Sequence, residues 1–189
     1  MKFLTILPLA LATLVGSAQN NEPISLDSIK QQVFLNITTK KEIIATFGKK
    51  YKEINKAGDY YVEIYYPEQG FGFDCDMTTN VIDAIIIHPQ VFKGKDSQET
   101  KFTKGLTLTE AIQLNGQYEF IRYYPALNQI TLLYPFKAFI CKQKNVAINL
   151  TEEEKKSTDG ILLQGKRLKT FLLQNKNIKI DYITIIDPE

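Results

Sequence analysis

TKKEIIATFG (residues 39–48) and TLTEAIQLNG (residues 107–116) share a spacing that organises the rest of the chain. Each opens on a threonine, carries a glutamate three places on and closes on a glycine nine places on: Thr39, Glu42, Gly48 and Thr107, Glu110, Gly116. Thr-x-x-Glu is a capping box. The threonine hydroxyl accepts from the backbone N–H three residues on, and the glutamate reaches back to the N–H of the threonine. The glycine supplies the left-handed conformation that ends a helix. Two short helices are therefore predicted, with Ile43, Ile44 and Phe47 facing a core in the first and Ala111, Ile112 and Leu114 in the second.

The segments after the two helices are also alike. Asp59–Tyr66 (DYYVEIYY) is rich in strand-forming aromatic and β-branched residues, and Pro67 stops it. GFGFDCD (70–76) alternates Phe71, Phe73 and Cys75 against Gly72, Asp74 and Asp76; MTTN turns, and VIDAIIIHP reads as a third strand. After the second helix come QYEFIRYYP, the turn-like ALNQ, ITLLY, PFKAFICK and a final KIDYITIIDP. Strands separated by turn-length gaps predict antiparallel meanders. The expected fold is α+β: two unequal tandem repeats, 37–90 and 105–189, each a short helix packed on an antiparallel β-meander. An N-terminal segment (19–36) precedes the first repeat and a linker (91–104) joins the two. The second repeat is longer. Cys75 to Pro89 is 14 residues, whereas Cys141 to Pro188 is 47. The excess, 142–177, holds a third capping box (Thr151 with Glu154) and a predicted helix over Ile161–Gln174, with Leu168, Phe171 and Leu172 as its apolar stripe.

The N-terminus has the layout of a secretory signal peptide. Lys2 gives a positive start, Phe3–Val15 is an apolar run of 13 residues, and Gly16-Ser17-Ala18 offers small residues for cleavage. The run is too short to span a bilayer. Residues 1–18 are thus expected to be removed near Ala18. No cysteine follows to carry a lipid anchor, and the mature protein is expected to be secreted or periplasmic. Removing Lys2 from 23 basic and 21 acidic residues leaves 22 against 21, a formal charge of +1. That balance gives no electrostatic footprint for nucleic acid. No second stretch is long and apolar enough to cross a membrane, so the chain does not read as an integral membrane protein.

Gly105-Leu106-Thr107-x-x-Glu110, with Gly116 closing the helix, resembles the Gly-Met-Thr opening helix of the BamE/SmpA/OmlA family. FDCDMTTNVIDAIII is similar to that family's final hairpin. The resemblance implies a small envelope protein with helices on a three-stranded antiparallel sheet, and a role in envelope assembly. Duplication of such a unit resembles the tandem β-lactamase-inhibitory-protein fold, whose joined sheet is a docking surface for a partner. The first copy has Thr38 at the family's methionine and Gly48-Lys49-Lys50 in place of Gly-x-Pro.

The residues available for chemistry are few. His88 is the single histidine, and the two cysteines are 66 positions apart, so no common zinc spacing exists. No Walker, Rossmann or G-x-S-x-G pattern is present, and no cofactor or metal is called for. Asp74 and Asp76 fall on one side of a strand, where paired carboxylates can bind a cation or polarise a sugar bond; a hydrated outer face is the simpler account of them. Tyr61, Glu63 and Tyr65 share one face of the preceding strand, opposite Tyr60, Val62, Ile64 and Tyr66. Tyrosines on a sheet suit protein or carbohydrate partners. Cys75 and Cys141, at matching repeat positions, form either a disulfide or two separately buried thiols. The function expected is non-enzymatic binding of another protein or an envelope component through Tyr61, Glu63, Tyr65, Asp74 and Asp76. The alternatives are a small hydrolase or carbohydrate-active protein using Asp74, Asp76 and His88, and an envelope assembly factor. Neither the partner nor the oligomeric state is legible.

Overall fold

A computed structural model describes residues 24–56, 60–92 and 105–186. The leader 1–18, most of the linker, Asp59 and Pro188 lie outside the described residues. The described chain is mixed α+β, with four helices and nine strands in a single antiparallel sheet. The helices are α1 (Leu26–Gln32), α2 (Lys40–Phe47), α3 (Leu108–Asn115) and α4 (Gly165–Gln174). The strands are β1 (Lys52–Asn55), β2 (Tyr61–Tyr66), β3 (Phe71–Asp76), β4 (Ile82–Ile87), β5 (Phe120–Tyr124), β6 (Gln129–Tyr134), β7 (Lys137–Lys142), β8 (Ile161–Leu163) and β9 (Tyr182–Ile186). Their order across the sheet is β1-β2-β3-β4-β9-β7-β6-β5-β8. β1–β4 and β5–β7 run as antiparallel meanders, and β9 pairs with β7 on one side and with β4 on the other. That strand joins what would otherwise be two small sheets.

Both capping boxes are made. Thr39 and Thr107 each accept from the N–H three residues on, while Glu42 and Glu110 accept from the threonine N–H at 2.8 Å. Each helix ends on a glycine with positive φ, Gly48 at 89° and Gly116 at 75°. Each capping threonine also bridges the sheet, Thr39 to Val81 and Thr107 to Lys179. Ile43 and Ala111 are fully buried, but Leu114 is solvent-exposed and Leu108 takes the core position expected of it.

One face of the sheet is dry. Val62, Ile64, Tyr66, Phe73, Cys75 and Ile85 continue through Ile183, Phe139, Cys141, Ile130, Leu132 and Ile121, and all belong to one core cluster. The buried residues of all four helices (Leu26, Ile29, Ile43, Leu108, Ala111, Leu168 and Phe171) join that cluster. Among the described residues, therefore, every helix packs on the same side. Sheet burial alternates because successive side chains point to opposite faces.

Four features differ from expectation. The helix α1, capped by Ser25, lies in what reads as a featureless N-terminal segment. The strand β1 carries only exposed side chains, so no apolar alternation marks it; pairing with β2 alone makes it a strand. Ile161–Leu163 is not helical but forms β8 against β5, and the helix begins at Gly165, because Ile161 and Leu163 bury while Leu162 faces outward. The Thr151–Glu154 box closes as expected, yet it starts only a three-residue 3-10 turn at Glu154–Lys156.

Candidate functional site

The second face of the sheet carries the charged residues. Register aligns Glu63 with Asp74 and Ala84, and Tyr65 with Gly72 and Ile86. Beyond Ile87, His88 turns to the same side, and Tyr182 at the start of β9 completes the group. Lys56, just after β1, reaches in from the edge.

Glu63 is the hub. Its side chain is 6% exposed, and Oε1 lies 2.7 Å from His88 Nε2. An ionised carboxylate only accepts, so Nε2 carries the proton in this contact. Lys56 Nζ stands 3.7 Å from Glu63 Oε2 and donates to Asp74 Oδ2 at 2.7 Å. Asp74 Oδ1 is 2.6 Å from the same ammonium but receives no hydrogen bond of proper geometry, so that contact is electrostatic. Gly72 makes the arrangement possible. A Cβ at that position would sit 2.6 Å from Glu63 Oε1, so the bare backbone lets the glutamate lie across β3 toward His88.

The rings close over these charges. The Tyr65 and His88 centroids are 4.6 Å apart, and His88 and Tyr182 6.0 Å. Tyr182 is flanked by two ammonium groups, Lys56 at 5.5 Å and Lys142 at 5.4 Å from the ring centre. Burial opposes ionisation of Glu63, but His88 and Lys56 outweigh it and hold the carboxyl below its usual range. Asp74 moves the other way: burial raises it, and Lys56 only partly offsets that. Burial, with the charges of Asp74 and Glu63 nearby, pushes the Tyr182 hydroxyl up to about 12.

The structure brings Glu63, Tyr65, Asp74 and His88 together. It does not bring Asp76 in: its Oδ1 accepts from Thr78 and Thr79 N–H at 2.6 and 2.9 Å and so holds the β3–β4 turn. Tyr61 lies apart as well, bonded to Asp83. His88, just past the end of β4, is partly buried against Glu63. Cys75 and Cys141 are both buried free thiols. They sit in β3 and β7 with β4 and β9 between, three strand spacings or roughly 14 Å, which no disulfide spans. Among the described residues no three metal-ligating side chains converge, and no helix is long and apolar enough to cross a membrane.

Sequence reasoning misses Lys56, Gly72, Lys142 and Tyr182. Lys56 follows an unmarked strand, and Gly72 reads only as a gap in an alternation. Tyr182 joins Glu63 and His88 only because β9 pairs with β4, where Ile87 meets Ile183 from far along the chain. Compared with known protein families, curated proteins and solved structures, the chain matches none.

Proposed function

We propose that this is an exported, non-enzymatic binding protein that docks another protein, secreted or of the cell envelope, on the second face of its sheet. The observation that carries this is the closed network of Glu63, His88, Lys56 and Asp74 beneath Tyr65 and Tyr182. Each charge there already has an internal partner, so the rings are held before any partner arrives. Aromatic groups fixed in advance lose little entropy on binding and make effective contact centres.

The same occupancy favours binding over hydrolysis. Acid–base work at a glycosidic bond needs two carboxyls facing one space. Here Glu63 and Asp74 do lie side by side, but Lys56 pairs with both and His88 with Glu63, while Asp76 is committed to a turn.

In this reading the fold is two unequal copies of one helix-and-meander unit. Supporting it are the matched caps at Thr39 and Thr107, the matched glycine ends, and the matched bridges from each threonine to the sheet. The BamE/SmpA/OmlA-like opening helix and the leader-like N-terminus point to an envelope partner, and assembly of envelope components is the role this resemblance brings.

A photo-crosslinking residue placed at Tyr65 or at Leu162 samples the second face, and one at Lys169 samples the outside of α4. Protein adducts are expected from the first two and not from the third in cells that make the protein. Adducts confined to Lys169, or a second face that crosslinks nothing, would sink the proposal.

A further inference from the structure

The balanced charge of the whole chain hides a local excess. Between Gly165 and Ile180 there are five basic residues and no acidic one, whereas the rest of the chain beyond Ala18 carries 17 basic against 21 acidic. The positive charge is thus concentrated on α4 and the turn after it. Helix geometry divides that stretch into two faces. Leu168 and Phe171 are buried in the core, and Lys166, Lys169 and Leu173, at spacings of three and four, share the face opposite. Lys176 follows, also exposed, just past the helix end. Leu173 is 66% exposed, a large aliphatic side chain standing among lysines.

Arg167 is already paired with Glu154, and Lys155 with Glu152. Among the described residues the side chains of Lys166, Lys169 and Lys176 make no ion pair or hydrogen bond, so their charge is turned outward. A partner for this face must therefore be anionic, and it must also reward an exposed leucine. Nucleic acid does the first and not the second: base stacking needs an aromatic ring or a guanidinium, and here Phe171 is buried and Arg167 is tied down. The surface of an anionic bilayer does both. Lysines hold their heads among the lipid headgroups, while an apolar side chain between them enters the acyl boundary. We propose that the outer face of α4 rests on an anionic lipid surface, with Leu173 entering it and Lys166, Lys169 and Lys176 answering the headgroups. α4 packs on the other side of the sheet from Glu63 and His88, so this proposal and the docking of a protein do not depend on each other.

Cys75 and Cys141 are buried, so Leu173→Cys can be labelled selectively with an environment-sensitive fluorophore in the full chain. Emission from that label is expected to move to shorter wavelength on phosphatidylglycerol vesicles and not on phosphatidylcholine vesicles. A label at Tyr60→Cys, a similarly exposed position away from α4, is expected to stay unshifted. Changing Lys166, Lys169 and Lys176 together to glutamine should weaken binding to the anionic vesicles about a hundredfold. Salt near ~1 M, which screens charges within about 3 Å, should have the same effect with no substitution among the lysines. An equal shift on both kinds of vesicle, no shift on phosphatidylglycerol, or a triple variant that binds as before overturns the proposal. So does polyglutamate that binds this face as tightly as the vesicles do, which would make the partner an acidic polypeptide.

Discussion

Glu63 on β2 and His88 just past the end of β4 sit 25 residues apart, yet Glu63 Oε1 and His88 Nε2 are 2.7 Å apart. β3 lies between them, and the contact passes over Gly72, the one position on that strand without a side chain to block it. A buried carboxylate is tolerated only when its charge is answered, and here an imidazole and an ammonium answer it.

Glu63→Gln keeps the shape and removes the charge. A charge-assisted hydrogen bond is worth about 1.5–3 kcal/mol, so the variant should lose stability of that order at neutral pH in urea denaturation. The pH dependence follows from the sign of the shift. The folded-state value lies below 4.5, so the stabilisation is fully present above about 4.5 and is lost as pH falls through the folded value. The gap between wild type and Glu63→Gln should therefore close in acid. A gap that stays constant down to about pH 3 would mean the charge is not what stabilises.

Gly72→Ala tests the passage over β3. The added methyl would meet Glu63 Oε1, the far end of a flexible side chain, so the glutamate would move and release His88. A loss of about 1–3 kcal/mol is expected on its own. In a Glu63→Ala background nothing remains to be displaced, and the same substitution should cost little. A double-mutant cycle reads this directly, and additivity would refute the contact.

The sequence carries the local half of this design and not the global half. Thr39, Glu42 and Gly48 announce a helix because a capping box and a terminating glycine act within about ten residues. The alternation in GFGFDCD announces which side of β3 is dry, and Tyr61, Glu63 and Tyr65 fall on one side of β2 as their period of two requires. Strand order is a different kind of fact. Nothing in KIDYITIIDP says that it pairs with VIDAIIIHP rather than staying beside PFKAFICK alone, so the meeting of Tyr182 with His88 is invisible in the sequence. The strand β1 is invisible for another reason: its pattern is wholly exposed, and only its partner makes it a strand.

The cysteines give a simple chemical check. Both are buried free thiols, and burial raises both above the usual thiol range. A thiolate is the reactive form, so neither should react with a disulfide reagent in the native protein. Two thiols per chain are expected to appear on unfolding in guanidinium without reductant. Fewer than two would show that an oxidised form exists.

The segment between β7 and β9 is held by two ties of different kinds. Asn175 is only 7% exposed, and its side chain acts as a clasp. Its Oδ1 accepts from Ala147 N–H, and its Nδ2 donates to Ala147 O, each at 2.9 Å, and also to Phe171 O at 2.8 Å. It therefore ties the start of the insertion to the end of α4. The second tie runs from Arg167 to both oxygens of Glu154, at 2.5 and 3.0 Å, and to Asn149 O. The Asn175 side chain is itself buried, whereas both ends of the Arg167 pair are partly solvated, where an ion pair contributes little. Asn175→Ala strands two backbone groups of Ala147 and should cost about 1–3 kcal/mol, while Arg167→Ala should cost less. Local opening should follow the same order: limited proteolysis is expected to cut within 143–160 in the Asn175 variant, with the sheet still folded by circular dichroism. If Arg167→Ala exposes that segment and Asn175→Ala does not, the solvated pair is the real anchor.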